Sequence, residues 1–125
     1  MSETKCRISE AEWLVMDVLW QASPQTAASI IERVRPETDW SPKTIHTLLS
    51  RLTGKGALAV DKAVAPHQYH PVVTREQCVS DEMNSFRKRF FNDSSFLTIA
   101  NFIEHNKISD EEIEELKQLL DQKRR

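Results

Sequence analysis

WSPKTIHTLLSRLTGKGALAV, Trp40 to Val60, is the stretch on which the reading of this chain turns. It holds no Asp or Glu, yet it carries Lys43, Arg51 and Lys55 inside a chain whose net charge is −2. Its apolar residues Ile45, Leu48, Leu49 and Leu52 recur at i, i+3, i+4 and i+7, one face of an α-helix. Ser41 is placed to cap that helix, and Pro42 suits its first position, where a missing N–H costs nothing. Trp40 can staple onto Ile45 across the cap, and Gly54 or Gly56 ends the helix. With the apolar stripe turned inward, the outward face shows Lys43, Thr44, His46, Thr47, Ser50 and Arg51, which are cationic or hydrogen-bonding.

The same local grammar recurs on either side. In ISEAEW, Ser9 caps, Glu12 completes a capping box and Ile8 staples onto Trp13, so a helix runs from Glu10 to about Gln21. Leu14, Val15, Val18 and Leu19 are its expected inward face, widened by Trp13, Met16 and Trp20. A second helix begins at Thr26, carries Ala27, Ile30, Ile31 and Val34 at helical spacing, and ends before Pro36. After the third helix the period changes. Ala57–Ala63 and Gln68–Val73 are short, β-tolerant runs around a tip at Val64–His67, which predicts a hairpin. Three helices followed by a hairpin is the order of a winged helix-turn-helix.

Beyond Val73 the chain turns helical again. Thr74 with Gln77 forms a further capping pattern, and Val79, Met83, Phe86 and Phe90 make an apolar stripe. Asn92-Asp93-Ser94 interrupts it. A helix over Ser95–Glu104 follows, then one from Asp110 to about Lys123, opened by the box Ser109/Glu112 and the staple Ile108/Ile113. All five phenylalanines lie between Phe86 and Phe102. An arm of this length is too small to bury so much apolar surface alone. A second copy is the natural cover, with Met83, Phe86, Phe90, Phe96, Ile99, Phe102, Ile103, Ile113, Leu116 and Leu120 as the expected dimerisation residues. The fold class is therefore mainly α with a small β-hairpin wing: a winged helix-turn-helix domain over 1–73 and a helical dimerisation arm over 74–125.

In such a fold the third helix enters the major groove by its N-terminal residues. Lys43, Thr44, His46 and Thr47 are then the candidates for reading bases. Ser41, Ser50, Arg51, Lys55 and, on the hairpin, Lys62 and His67 are the candidates for phosphate. The rival reading is a helical protein–protein adaptor that uses its phenylalanine arm and never meets DNA; salt-steep DNA binding separates the two. Enzyme chemistry has no foothold in the sequence. There is no nucleophile elbow, HExxH or P-loop, and a chain with two glycines offers no phosphate-cradling loop. DEEIEE at 110–115 reads as a helix start whose carboxylates complement the dipole.

No cofactor and no metal is required. His67 and His70 stand three apart on a strand and point to opposite faces, away from a common ligand set with Cys78. Cys6 and Cys78 lack metal or redox spacing and read as reduced thiols, with Cys78 structural and half-buried. The polar start MSETKCRISE and the lack of a long apolar span point to a cytoplasmic protein with no membrane insertion.

Taken together, ISEAEWLVMDVLW, DWSPKTIHTLLSRLTGKGAL and NFIEHNKISDEEIEELKQLL resemble the penicillinase and methicillin-resistance repressors (BlaI/MecI, grouped with CopY-type copper repressors). The resemblance implies a homodimeric transcriptional repressor on double-stranded operator DNA, with TACA/TGTA-like dyad half-sites read by Lys43 through Leu52. In the penicillinase branch it implies release by cleavage of an Asn-Phe bond in the dimerisation arm, matched here by Asn101-Phe102, with a sensor-linked protease as a further partner. The copper branch carries a carboxy-terminal pair of CxC motifs; this chain has no cysteine after Cys78, so sensing of that kind is excluded.

Overall fold

The computed structural model describes residues 5–125; Met1–Thr4, part of the polar opening, lie outside the described residues. The elements run α1 (Glu10–Gln21), β1 (Gln25–Thr26), α2 (Ala27–Val34), a 3-10 turn (Arg35–Glu37), α3 (Pro42–Gly54), β2 (Leu58–Asp61), β3 (Gln68–Pro71), α4 (Arg75–Phe90), α5 (Ser95–His105) and α6 (Asp110–Lys123). The three strands form one antiparallel sheet in the order β1-β3-β2. β2 pairs with β3 from Leu58↔Pro71 to Asp61↔Gln68, and β1 adds Gln25↔Tyr69 on the other edge of β3.

Local chemistry fixes the helix starts. Ser9 Oγ accepts from the Glu12 amide at 3.1 Å while the Ser9 amide donates to Glu12 Oε1 at 2.8 Å. Ser109 and Glu112 repeat this reciprocal pair, as do Thr74 and Gln77. Each box satisfies two donors that a helix start leaves orphaned. Ser41 caps α3 by accepting from the Thr44 amide at 3.2 Å. Gly56, with φ +86°, provides the left-handed residue after that helix, where any Cβ would be strained and would also press on the Lys5 stem.

Val15, Met16, Leu19, Ile30, Val34, Ile45, Leu48, Leu49, Leu52, Ala57 and Leu58 make the core of the winged domain. Two features differ from expectation. Leu14, read as inward, is exposed, and its place in the α1 stripe is taken by Glu12, only 3% exposed. The chain also gains β1, which joins the wing as a third strand. Its first residue, Gln25, is buried with every side-chain group engaged. Its Nε2 donates to the Val18 and Ala22 carbonyls at the end of α1, and its Oε1 accepts from Ser29 Oγ in α2.

The chain divides into two compact units after Met83, inside α4. The start of α4 belongs to the winged unit for visible reasons. Cys78 is fully buried there, Trp20 Nε1 donates to the Val73 carbonyl at 2.9 Å, and Arg75 pairs with Asp17 at 3.3 Å. In the second unit the turn after α4 places Asn92 and Asp93 at positive φ, a backbone that Asn and Asp tolerate. Arg87 holds Asp93 at 2.8 Å across that turn.

Lys55 Nζ meets Glu12 Oε1 at 2.7 Å and donates to the Arg7 carbonyl at 2.7 Å, clamping the end of α3 to the start of α1. Burial alone would raise the Glu12 pKa; Lys55 and the Ser9 amide reverse that and hold the carboxyl below its ordinary value of 4.5. A lowered folded pKa stabilises the protein in full above about pH 4.5, and the gain is lost as pH falls through the folded value. Lys55→Met leaves the Glu12 carboxylate buried without its cation. We expect a loss of about 2 kcal/mol in urea unfolding at neutral pH, and a weaker acid dependence below the ordinary Glu range.

Candidate nucleic-acid interface

α3 separates its buried and exposed residues cleanly. Ile45, Leu48, Leu49 and Leu52 are at most 4% exposed, while Lys43, Thr44, His46, Thr47, Ser50 and Arg51 all lie on the exposed side. The four residues expected to read bases therefore share one solvent-facing surface over the first two turns. Thr47 Oγ1 donates to the Lys43 carbonyl at 3.0 Å, which fixes its rotamer and leaves its oxygen able to accept a further bond. Thr44 Oγ1 lies 3.1 Å from Ser41 Oγ. Ser41 itself is occupied as the helix cap, so its hydroxyl positions Thr44 first.

Lys43, Arg51 and Lys62 take part in no ion pair among the described residues, and Arg51 and Lys62 are exposed as the phosphate role needs. Lys55 is the exception in the expected phosphate set. Its ammonium is committed to Glu12 and the Arg7 carbonyl, so drawing it to a phosphate would strand a buried carboxylate. The wing brings His67 toward α3: His46, His67, Pro66 and Tyr69 line one shallow, mostly apolar depression with Thr26, Ala27 and Ala28 at the start of α2. Sequence spacing did not reveal this meeting of His46, His67 and the start of α2, because it depends on β1 pairing with β3. Among the described residues no group of three or more His, Cys, Asp or Glu side chains could hold a metal ion.

In the second unit the expected dimerisation residues Phe86, Phe90, Phe96, Ile99, Phe102, Ile103, Ile113, Leu116 and Leu120 are all more than a third exposed, Phe96 reaching 76%. Met83 is equally exposed but is the last residue of the first unit. Phe86 packs with Phe90, Phe91 and Phe102 at centroid distances of 5.0, 5.8 and 6.4 Å. Leu119, at the inward helical spacing of α6 with Ile113, Leu116 and Leu120, is 61% exposed. Asn101 and Phe102 lie in the body of α5, and their carbonyls are engaged by the His105 ring and the Asn106 amide at 2.9 Å each. No helix among the described residues is long and apolar enough to cross a membrane.

The family model described as penicillinase repressor matches residues 8–122, all but the two ends of the chain. The chain belongs to the penicillinase repressor family. It is a transcriptional repressor and not an enzyme, which settles the choice of class that the sequence left open. The methicillin resistance regulatory protein MecI of Staphylococcus aureus strain N315 is 34% identical over 123 residues, covering 98% of this chain and 100% of that protein. The penicillinase repressor of Bacillus licheniformis is 37% identical over 116 residues, 93% of this chain and 91% of its own. Among solved structures, the DNA-binding domain of the repressor BlaI in solution matches with a TM-score of 0.52 and 38% identity, over 57% of this chain and 87% of that domain. The winged-helix fold is thereby shown, and the match has the extent of one domain.

The cap carries the geometry of the exposed face, so Ser41→Ala should lower stability by about 1 kcal/mol and Ser41→Gly by only a few tenths. Chemical denaturation of the two variants checks this. Equal losses would mean that the Ser41 hydroxyl does not hold the start of α3.

Proposed function

We propose that the protein is a homodimeric repressor that reads a palindromic operator with TACA/TGTA-like half-sites through α3. The observation that carries this reading is the exposed, carboxylate-free face of α3 on a winged domain whose family represses transcription. Lys43, Thr44, His46 and Thr47 occupy the end of the helix that reaches base edges. The Thr47 methyl suits a thymine methyl, and Lys43 can donate to a guanine edge. Ser50, Arg51, Lys62 and His67 flank them toward the phosphates, and Ser41 contributes through the start of the helix, where amides favour an anion. Lys55 is left out of that set.

The exposed apolar surface of α4–α6 supports pairing with a second copy, because a closed twofold contact covers it on both chains. Such a dimer presents two α3 helices about 34 Å apart, one turn of DNA, which matches a dyad. Operator DNA places the protein in the cytoplasm. Release by a sensor-linked protease at Asn101-Phe102 fits an exposed pair inside the arm. The bond lies within a helix whose carbonyls are engaged, so α5 has to open locally before it is cut. Cleavage there separates apolar segments that the dimer needs together, and bivalent grip on two half-sites is lost.

Competition binding with matched and mismatched duplexes tests the reading face. Lys43→Ala and Thr47→Ala should each cost about 1–3 kcal/mol of preference for the correct half-site. Arg51→Ala should weaken all duplexes alike and flatten the salt dependence by about one phosphate contact. Unchanged discrimination in Thr47→Ala contradicts the assignment. For the dimer, sedimentation of Phe86→Asp and Leu116→Asp should show monomers, since each would bury an unpaired charge. Dimers that survive both changes place the interface elsewhere.

A further inference from the structure

Neither DNA reading nor the apolar arm uses Cys6 and Cys78. Cys6 precedes α1 and Cys78 lies in the first turn of α4; both are unbonded thiols, 5% and 0% exposed. Their sulfurs face one another at 2.8 Å. A disulfide needs a separation of about 2.05 Å, so the pair is short of bonding distance by less than about 1 Å. The neighbours hold this juxtaposition in place. Lys55 grips the carbonyl of Arg7, next to Cys6, while Trp20 grips the carbonyl of Val73 and Asp17 pairs with Arg75 just before Cys78. A surface depression lined by Lys5, Val73, Glu76, Gln77, Ser80 and Asp81 reaches Cys6; Cys78, fully buried, is not part of its lining.

We propose that Cys6 and Cys78 form a thiol–disulfide site, which closes to an intramolecular disulfide by exchange with a small disulfide such as oxidised glutathione. Cys6, at the wall of the depression, attacks as its thiolate and takes one half of the small disulfide, releasing the other half as a thiolate. Cys78 then gives up its proton and attacks Cys6 Sγ, breaking the mixed disulfide and releasing the second small thiolate. The two cysteine protons end on the two released thiols, and two electrons pass from the cysteine pair to the oxidant. Burial, with the Cys6 thiol and Asp81 beside it, pushes the Cys78 pKa up to about 12, so the second attack is the slow one. The product ties the segment before α1 to α4 and restricts the unfolded chain over most of the winged domain.

Full-length protein equilibrated in mixtures of reduced and oxidised glutathione, acid-quenched, alkylated under denaturing conditions and weighed by mass spectrometry tests this directly. Both thiols should disappear together without a retained glutathione, and the peptide map should join Cys6 to Cys78 within one chain. The thermal midpoint should rise by on the order of 10 °C and return on reduction. Cys78→Ser should stop at one glutathione on Cys6, and Cys6→Ser should take none. A stable glutathione adduct in the wild type, a bond between chains, or two thiols that stay alkylatable after long exposure overturns the proposal.

Discussion

Burial of four side chains, Ile45, Leu48, Leu49 and Leu52, governs everything that the α3 helix can do. They are almost fully removed from water against α1, α2 and the start of the wing. Each such side chain contributes about 1.5–3 kcal/mol on burial, so a rotation of α3 that exposed all four would cost an amount comparable to the whole stability of a small domain. That constraint, with the Ser41 cap, aims Lys43, Thr44, His46, Thr47 and Arg51 at solvent. The outward face therefore needs no dedicated positioning machinery. Its chemistry, cationic and free of carboxylates, follows from what the sequence leaves on the far side of the stripe.

The second unit poses the opposite problem. Its helices are well capped, with Ser94 accepting from the Leu97 amide and the Ser109/Glu112 box opening α6. Yet Thr98 is its sole buried side chain, and most of its aromatic and aliphatic residues stand in solvent. Local hydrogen bonding makes these helices, but burial within one chain does not pay for the surface they expose. A second copy supplies that burial in the reading given above, and it explains why the same arm would be the place where repression is switched off.

The division between what sequence did and did not show is physical. Caps and boxes act within three or four residues, so Ser9, Ser41, Thr74 and Ser109 were legible from the sequence alone. The stripe of α3 was clean because all four of its members are apolar. α1 misled because Glu12 occupies its core-facing row, and a carboxylate there breaks the apolar period that would have turned Leu14 outward. Its compensation by Lys55 comes from a residue 43 positions away, and the pairing of Cys6 with Cys78 spans 72; neither has a local signal. From sequence, Lys55 sits at the end of α3 where it could hold a phosphate, and only the fold shows its ammonium on Glu12 and the Arg7 carbonyl. β1 carries no sequence signal because two residues are too few to show alternation.

The account rests on the outward face of α3 acting as a DNA-reading surface on a twofold dimer. Fluorescence anisotropy of the full chain, titrated against a TACA/TGTA dyad and a scrambled duplex of equal length at several salt concentrations, examines that claim most directly. The account predicts clear preference for the dyad, two chains per duplex, and affinity falling by about 0.9 log unit per log unit of salt for each phosphate neutralised. Equal, weak binding to both duplexes would contradict it and leave a cationic helix face without a code.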